Sequence, residues 1–185
     1  MFENVRADLA RARAANHKSM SGPGAWLWSL FHLGTSAVLV YRFGRWAWNL
    51  RLPVLREGLL GVYFVLKYTN QMATGVNIPV TAEIGPGLVV HTWNGVYLPN
   101  CRIGRNAYFQ HGVVVNYRCK GIGDDVYFGP GAKVIREVRI GDRVRIGANA
   151  VVMCDLPDDC TAVGVPARII PQRGPKTSSA RSVSP

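Results

Sequence analysis

Residues 121–152 read GIGDDVYFGPGAKVIREVRIGDRVRIGANAVV, and every sixth position is aliphatic or aromatic: Ile122, Phe128, Val134, Ile140, Ile146 and Val152. Working outward, the same beat falls on Ile103, Phe109 and Val115, and before them on Ile84, Val90 and Val96. One extra residue precedes Ile103 and one precedes Ile122. Ile84, Ile103, Ile122, Ile140 and Ile146 are each followed by glycine. Small or aliphatic residues recur four positions after most beats, as at Leu88, Ala107, Val113, Val126, Ala132, Val138, Val144 and Ala150. A half-buried strand alternates with period two and an amphipathic helix with period 3.6, so a sustained six is neither. It is the signature of a parallel β-helix. Three hexads close one triangular coil, the beat residue points into the prism, and glycine suits the tight corner.

The rest of the chain divides around this repeat. Residues 1–73 read as a helical region, 74–170 as the prism, and 171–185 as a basic Pro/Ser/Arg/Lys tail expected to be disordered. Residues 2–16 form a polar helix rich in Ala and Arg, and Ser19–Gly24 is a break. Ala25–Leu50 is apolar and aromatic, Pro53 ends it, and Leu55–Gln71 reads as a further helix. The repeat is expected to stop near Leu156, with Thr161–Ile170 closing the prism. Ala25–Tyr41 approaches the length of a membrane span, but His32, Gly34, Thr35 and Ser36 interrupt it and Arg42 and Arg45 follow. Packing against other helices or a neighbouring subunit is the expectation. Peripheral membrane contact, with Trp26, Trp28, Trp46 and Trp48 at the headgroups, is the alternative.

At 185 residues, 48% hydrophobic and 18% charged, the chain suits one globular unit with appendages. Its formal charge of +11 reflects a basic surface and tail, or attraction for a polyanion such as coenzyme A or an anionic membrane. No nucleic-acid motif accompanies the charge, so nucleic acid is not an expected partner. Cys101, Cys119, Cys154 and Cys160 form no CxxC and no zinc spacing, so no metal is expected. Met1–Lys18 is charged and helical in character rather than a cleavable signal. A reducing cytoplasm with free thiols is the default.

The stretches IGPGLVVHTWNGVYLPN, IGDDVYFGPGAKVI, IGDRVRIGANAVV and AVGVPARII resemble the hexapeptide-repeat acyltransferases. The likeness is to the serine acetyltransferases and to their relatives that acetylate colanic acid and other exopolysaccharides. It covers residues 74–170, and FENVRADL followed by VYRFGRWAW is similar to the helical region of the serine acetyltransferase group. The resemblance implies a mainly β chain, a left-handed parallel β-helix with an N-terminal α-helical region. It also implies a homotrimer, acetyl-CoA as cosubstrate in clefts between adjacent prisms, and a small hydroxyl acceptor entering from the helical side.

Acetyl transfer to an alcohol needs a base for the hydroxyl proton, and a neutral imidazole can serve near pH 7. His17 reads as a surface residue and His32 as packing or capping, which leaves His91 and His111 in the repeat. The serine acetyltransferases carry an Asp-His pair after this beat and some polysaccharide acetyltransferases two histidines, whereas here the pair is His91-Thr92, so an ungapped match puts Thr92 on the catalytic position. Either His91 reaches the site through a local shift, or His111 is the base, or catalysis is impaired; His91 is favoured. The second histidine of the serine enzymes' Gly-rich loop is missing from NYRCKG (116–121), which favours a saccharide hydroxyl as acceptor over free serine. Trp93 and Tyr117 offer faces for a sugar, and Thr92, Asn94 and Asn116 offer polar contacts. The motif match points to Gly129, Pro130, Gly131, Gly147 and Ala148 for the pantetheine arm. Arg145, Arg168 and Arg143 are the candidates for the phosphates. A true serine O-acetyltransferase and a non-catalytic assembly or membrane-surface module are the alternatives.

Overall fold

A computed structural model describes residues 2–16, 33–91 and 95–171. The expected break at Ser19–Gly24, Trp26, Trp28, His17, His32, Thr92, Trp93, Asn94 and the tail beyond Pro171 lie outside the described residues.

Three helices lead into the prism: α1 (Phe2–Asn16), α2 (Leu33–Trp48) and α3 (Pro53–Thr74). Pro53 opens α3 rather than merely closing the segment before it, because its missing N–H and fixed φ suit a first turn. Gly75 ends α3 in the left-handed conformation, its N–H donating to Gln71 O at 2.8 Å. α2 and α3 pack closely because Gly44 lies against the Tyr63 ring, where any Cβ would clash. None of the described helices is long and apolar enough to cross a membrane.

The prism is a left-handed parallel β-helix of three sheets. Sheet A stacks β1 (Val76–Asn77), β4 (Val96–Tyr97), β7 (Val114–Val115), β10 (Lys133–Val134) and β13 (Val151–Val152). Sheet B stacks β2 (Glu83–Ile84), β5 (Arg102–Ile103), β8 (Gly121–Ile122) and β11 (Arg139–Ile140). Sheet C stacks β3 (Val89–Val90), β6 (Tyr108–Phe109), β9 (Tyr127–Phe128) and β12 (Arg145–Ile146), then β14 (Cys160–Val163) and an antiparallel β15 (Arg168–Pro171). The beat residues fill the axis. Phe109 and Phe128 are fully buried and stack with centroids 4.6 Å apart.

The structure corrects the beat in two places. Tyr97 pairs with Val114, so Leu98, not Val96, stands where Val115 stands in the next coil, and both are buried. The corner from Val90 to Leu98 therefore spans eight positions, against six from Phe109 to Val115. The hydrophobic Val96 hid this longer turn because it also points inward, 0% exposed. At the other end the repeat does not stop near Leu156. Leu156 bridges Ile140 and Ala162 pairs with Ile146, a further partial coil reached through a shortened corner.

A buried polar hub fixes the helices to the first coil. Arg42, 4% exposed, donates from Nε to Asp8 Oδ2 (2.8 Å), from Nη1 to Ile84 O (2.7 Å) and from Nη2 to Gly85 O (2.6 Å). Asp8 Oδ1 accepts from the N–H groups of Gly87 and Leu88, both at 2.8 Å. Tyr41 donates to Ala82 O at 2.7 Å, and burial pushes its hydroxyl above the ordinary range. The FENVRADL and VYRFG stretches thus serve docking.

Candidate active site

The prism has three edges, and one of them, between sheets C and A, gathers most of the expected site. Val90 pairs with Phe109, Phe109 with Phe128 and Phe128 with Ile146. The residues that follow them therefore form a column: His91, Gln110, Gly129 and Gly147. A second column beside it holds His111, Pro130 and Ala148. His91 is anchored by its N–H donating to Phe109 O at 2.8 Å, is half-buried, and has its Nδ1 shielded from solvent. His111 is exposed, and its carbonyl accepts from Gly131 N–H at 2.9 Å. The two histidines belong to adjacent coils but stand one position apart along the edge, so His91 lies over Gln110 rather than over His111.

Gln110 was not among the expected residues. Its Nε2 donates to the Tyr127 hydroxyl at 3.4 Å, and Tyr127 stacks on Tyr108 with centroids 5.4 Å apart. The signal was present in the sequence: Gln110 follows its beat as His91 follows Val90. The glycines of this edge have a packing reason independent of any ligand. A Cβ on Gly129 would stand 2.7 Å from Ala148 N and 2.9 Å from Gly147 C. The same fit also keeps the edge free of side-chain bulk, which is what a thin ligand lying along it requires.

Other expected residues lie elsewhere. Asn116 and Tyr117 sit on the edge between sheets A and B. Asn116 Oδ1 accepts from Arg118 N–H (2.8 Å) and its Nδ2 donates to Ile135 O (3.0 Å), so the side chain completes its own turn. Tyr117 is exposed, and its hydroxyl accepts from Asn100 Nδ2 at 3.0 Å. Arg145 projects from sheet C, exposed, and Arg168 opens the antiparallel strand β15 beside Val163. Arg143 does not reach the histidine edge. It stands on the edge between sheets B and C, with Nε 2.6 Å from Asp159 Oδ1, and this contact draws the Asp159 carboxyl below its ordinary 3.8.

A cleft of about 890 Å³ also opens on the B–C edge, between α2 and the first coils. Two ion pairs line it, Arg45 with Glu83 at 3.0 Å and Arg105 with Asp124 at 3.0 Å, and Arg102 adds a further guanidinium. It contains no imidazole, so the C–A edge is the better candidate. Among the described residues, no group of three or more His, Cys, Asp or Glu is arranged to hold a metal.

With this geometry in hand, known proteins bear directly on it. The family model described as bacterial transferase hexapeptide (six repeats) matches residues 121–153. A serine acetyltransferase of Helicobacter pylori (strain J99) is 36% identical over 156 residues, covering 78% of this chain and 85% of that protein. The chain belongs to the serine acetyltransferase family. A Synechococcus elongatus serine acetyltransferase is 33% identical over 78% of this chain, which spans only 60% of that relative's length. The solved structure of soybean serine acetyltransferase complexed with serine superposes with a TM-score of 0.74 at 27% identity, over 90% of this chain and 68% of that one. The family is one of O-acetyltransferases. These likenesses overturn the expected saccharide acceptor. The relatives are named for serine, and the missing loop histidine was too indirect a reason to look elsewhere.

Proposed function

We propose that this chain is an acetyl-CoA-dependent serine O-acetyltransferase. The observation that carries the reading is family membership at 36% identity over 85% of a serine acetyltransferase. The C–A edge supports it by stacking an imidazole over Gln110 and, in the following coils, over Gly129 and Gly147. In the proposed reaction the serine hydroxyl gives its proton to His91 as its oxygen attacks the acetyl carbonyl. The tetrahedral intermediate collapses, the carbon–sulfur bond breaks, and the CoA sulfur leaves with the proton carried by the imidazole. No covalent acyl-enzyme is needed when both substrates bind together.

His111, exposed one position along the edge, supports His91 or contacts substrate. Gly129, Pro130, Gly131, Gly147 and Ala148 border the pantetheine arm, while Arg145 and Arg168 meet the phosphates. His91, held in register with Gln110 by its N–H bond to Phe109 O, is the proposed base. The proposed assembly is a homotrimer. Val54, Leu55, Val62, Val65 and Met72 of α3 are between 49% and 88% exposed, an apolar face that soluble monomers rarely leave open. In such a trimer Tyr117, exposed on the A–B edge, reaches the acceptor from a neighbouring protomer.

The test is release of CoA thiol from acetyl-CoA, followed with and without serine. Saturable, serine-dependent release with O-acetylserine as product is expected. A chain that binds CoA yet shows no serine-dependent release overturns the assignment.

A further inference from the structure

Cys101 and Cys119 take no part in the reaction above, and the fold brings them together. Both lie on the A–B edge, Cys101 just before β5 and Cys119 just before β8. Ile103 pairs with Ile122 across these strands, so the two cysteines fall one position out of register in adjacent coils. A strand spacing of about 4.8 Å and a rise of about 3.3 Å per residue put their Cα atoms roughly 6 Å apart. That lies within the span of roughly 4–7 Å that a disulfide bridges.

The side chains point the same way. Cys119 is 4% exposed, its Sγ 3.2 Å from Val138 O. Cys101 is half-buried against the same core, its Sγ 3.5 Å from Arg102 O. The two sulfurs are close enough to interact, which draws the Cys119 thiol below its ordinary range and, together with burial, pushes Cys101 above it. Of the other two, Cys154 is exposed and Cys160 buried.

We propose that Cys101 and Cys119 are a redox modification site that closes to an inter-coil disulfide in the presence of a low-molecular-weight disulfide RSSR. Cys101, the half-exposed sulfur, attacks RSSR as the thiolate it becomes on passing its proton to the neighbouring Cys119 sulfur. One S–S bond breaks, a mixed disulfide forms, and RS⁻ leaves and takes up a proton as RSH. Cys119 then attacks the Cys101 sulfur as thiolate and expels the second RSH. Two protein thiols and RSSR become one protein disulfide and two RSH. The protein sulfurs lose two electrons, RSSR gains them, and both thiol protons leave with the RS groups. The bond closes a loop between residues 101 and 119, constraining the unfolded chain and stabilising the prism. It also pins the edge that carries Asn116 and Tyr117.

The experiment uses the full chain carrying Cys154→Ser, treated with oxidised glutathione. The expected product is lighter by two hydrogens, yields a non-reduced peptide pair joined through Cys101 and Cys119, and reverts with dithiothreitol. Its urea midpoint rises on oxidation. Adding Cys119→Ser abolishes the midpoint shift and leaves a glutathione adduct on Cys101. If that variant does not fold, Cys101→Ser must likewise show neither the linked peptides nor the shift. Stable glutathione adducts in place of the cross-link while both cysteines are present, or a cross-link through Cys160, overturns the proposal.

Discussion

Two edges of the same prism use their side chains in opposite ways. On the B–C edge the coils from the second onward bond one to the next through carboxylates. Asp124 Oδ1 accepts from Arg105 N–H (2.9 Å), Asp142 Oδ1 from Asp124 N–H (2.8 Å) and Asp158 Oδ1 from Asp142 N–H (2.9 Å). The Asp8–Arg42 hub continues that edge upward into the helices. Among the described residues the C–A edge contains no Asp or Glu: its turns are built from His91, Gln110, His111, Asn149 and small residues. One edge consumes its polar groups in holding coils together. The other carries a half-buried imidazole at His91, an exposed one at His111 and a smooth backbone surface. Stability and chemistry are therefore expected to separate by edge, and substitutions can test this.

The largest effect is expected at the hub. Asp8→Ala leaves the Arg42 guanidinium buried without its carboxylate, and breaking a buried pair in this way costs about 3–5 kcal/mol. Gly87 and Leu88 also lose their acceptor. Urea denaturation should show the loss. A variant of near-normal stability would mean that the helices dock by apolar packing alone.

His91→Asn should do the reverse. The position keeps a polar group of similar size but loses its base, so serine-dependent turnover should fall by roughly 10²–10⁴, with CoA binding and the urea midpoint little changed. His111→Asn should cost less. If His111→Asn proves the more damaging of the two, the roles exchange. If His91→Asn instead unfolds the chain, the separation by edge fails.

Gly129→Ala should affect both properties. The new Cβ meets backbone 2.7 Å away in the next coil, and overpacking of this kind typically costs about 1–3 kcal/mol. CoA affinity, measured by calorimetry on the folded fraction, should fall as well. Loss of stability with CoA affinity intact would restrict the glycine to a packing role.

How much of this was legible in the sequence depended on whether a residue acts by period or by exception. The coil interior was legible because a beat residue must be apolar in every turn, as Phe109, Phe128 and Ile146 are. The corner lengths were not. An inward-facing Val96 sits two positions before the true beat at Leu98, and hydrophobicity alone cannot distinguish two inward residues of one turn. The ends of the repeat were hidden for a similar reason, since Leu156 and Ala162 keep the interval of six but follow a shortened corner. FENVRADL and VYRFG were visible as a likeness, but their purpose was not. The Asp8–Arg42 pair joins residues far apart in the chain, and no local pattern announces such a contact. Asn116 read equally well as a ligand contact and as a turn residue, and only its two hydrogen bonds decide for the turn.

The smallest effect is expected at the exposed end of the B–C edge, at Asp159. Its carboxylate sits 2.6 Å from Arg143 Nε, and the guanidinium holds it below its ordinary 3.8. A carboxylate with a depressed folded-state pKa binds fewer protons folded than unfolded in the interval between the two values. Its contribution is therefore fully present above the unfolded value and is lost as pH falls through the lower, folded one. Both partners are exposed, so solvent and salt screen the pair and the contribution is small. Asp159→Asn should leave the urea midpoint at neutral pH nearly unchanged. It should also slightly flatten the decline of that midpoint below pH 3.8, and added salt should erase the difference. A large loss at neutral pH would show that the carboxylates of this edge act as one cooperative ladder whose end matters as much as its middle, and the contrast between the edges would then be sharper than the individual bonds imply.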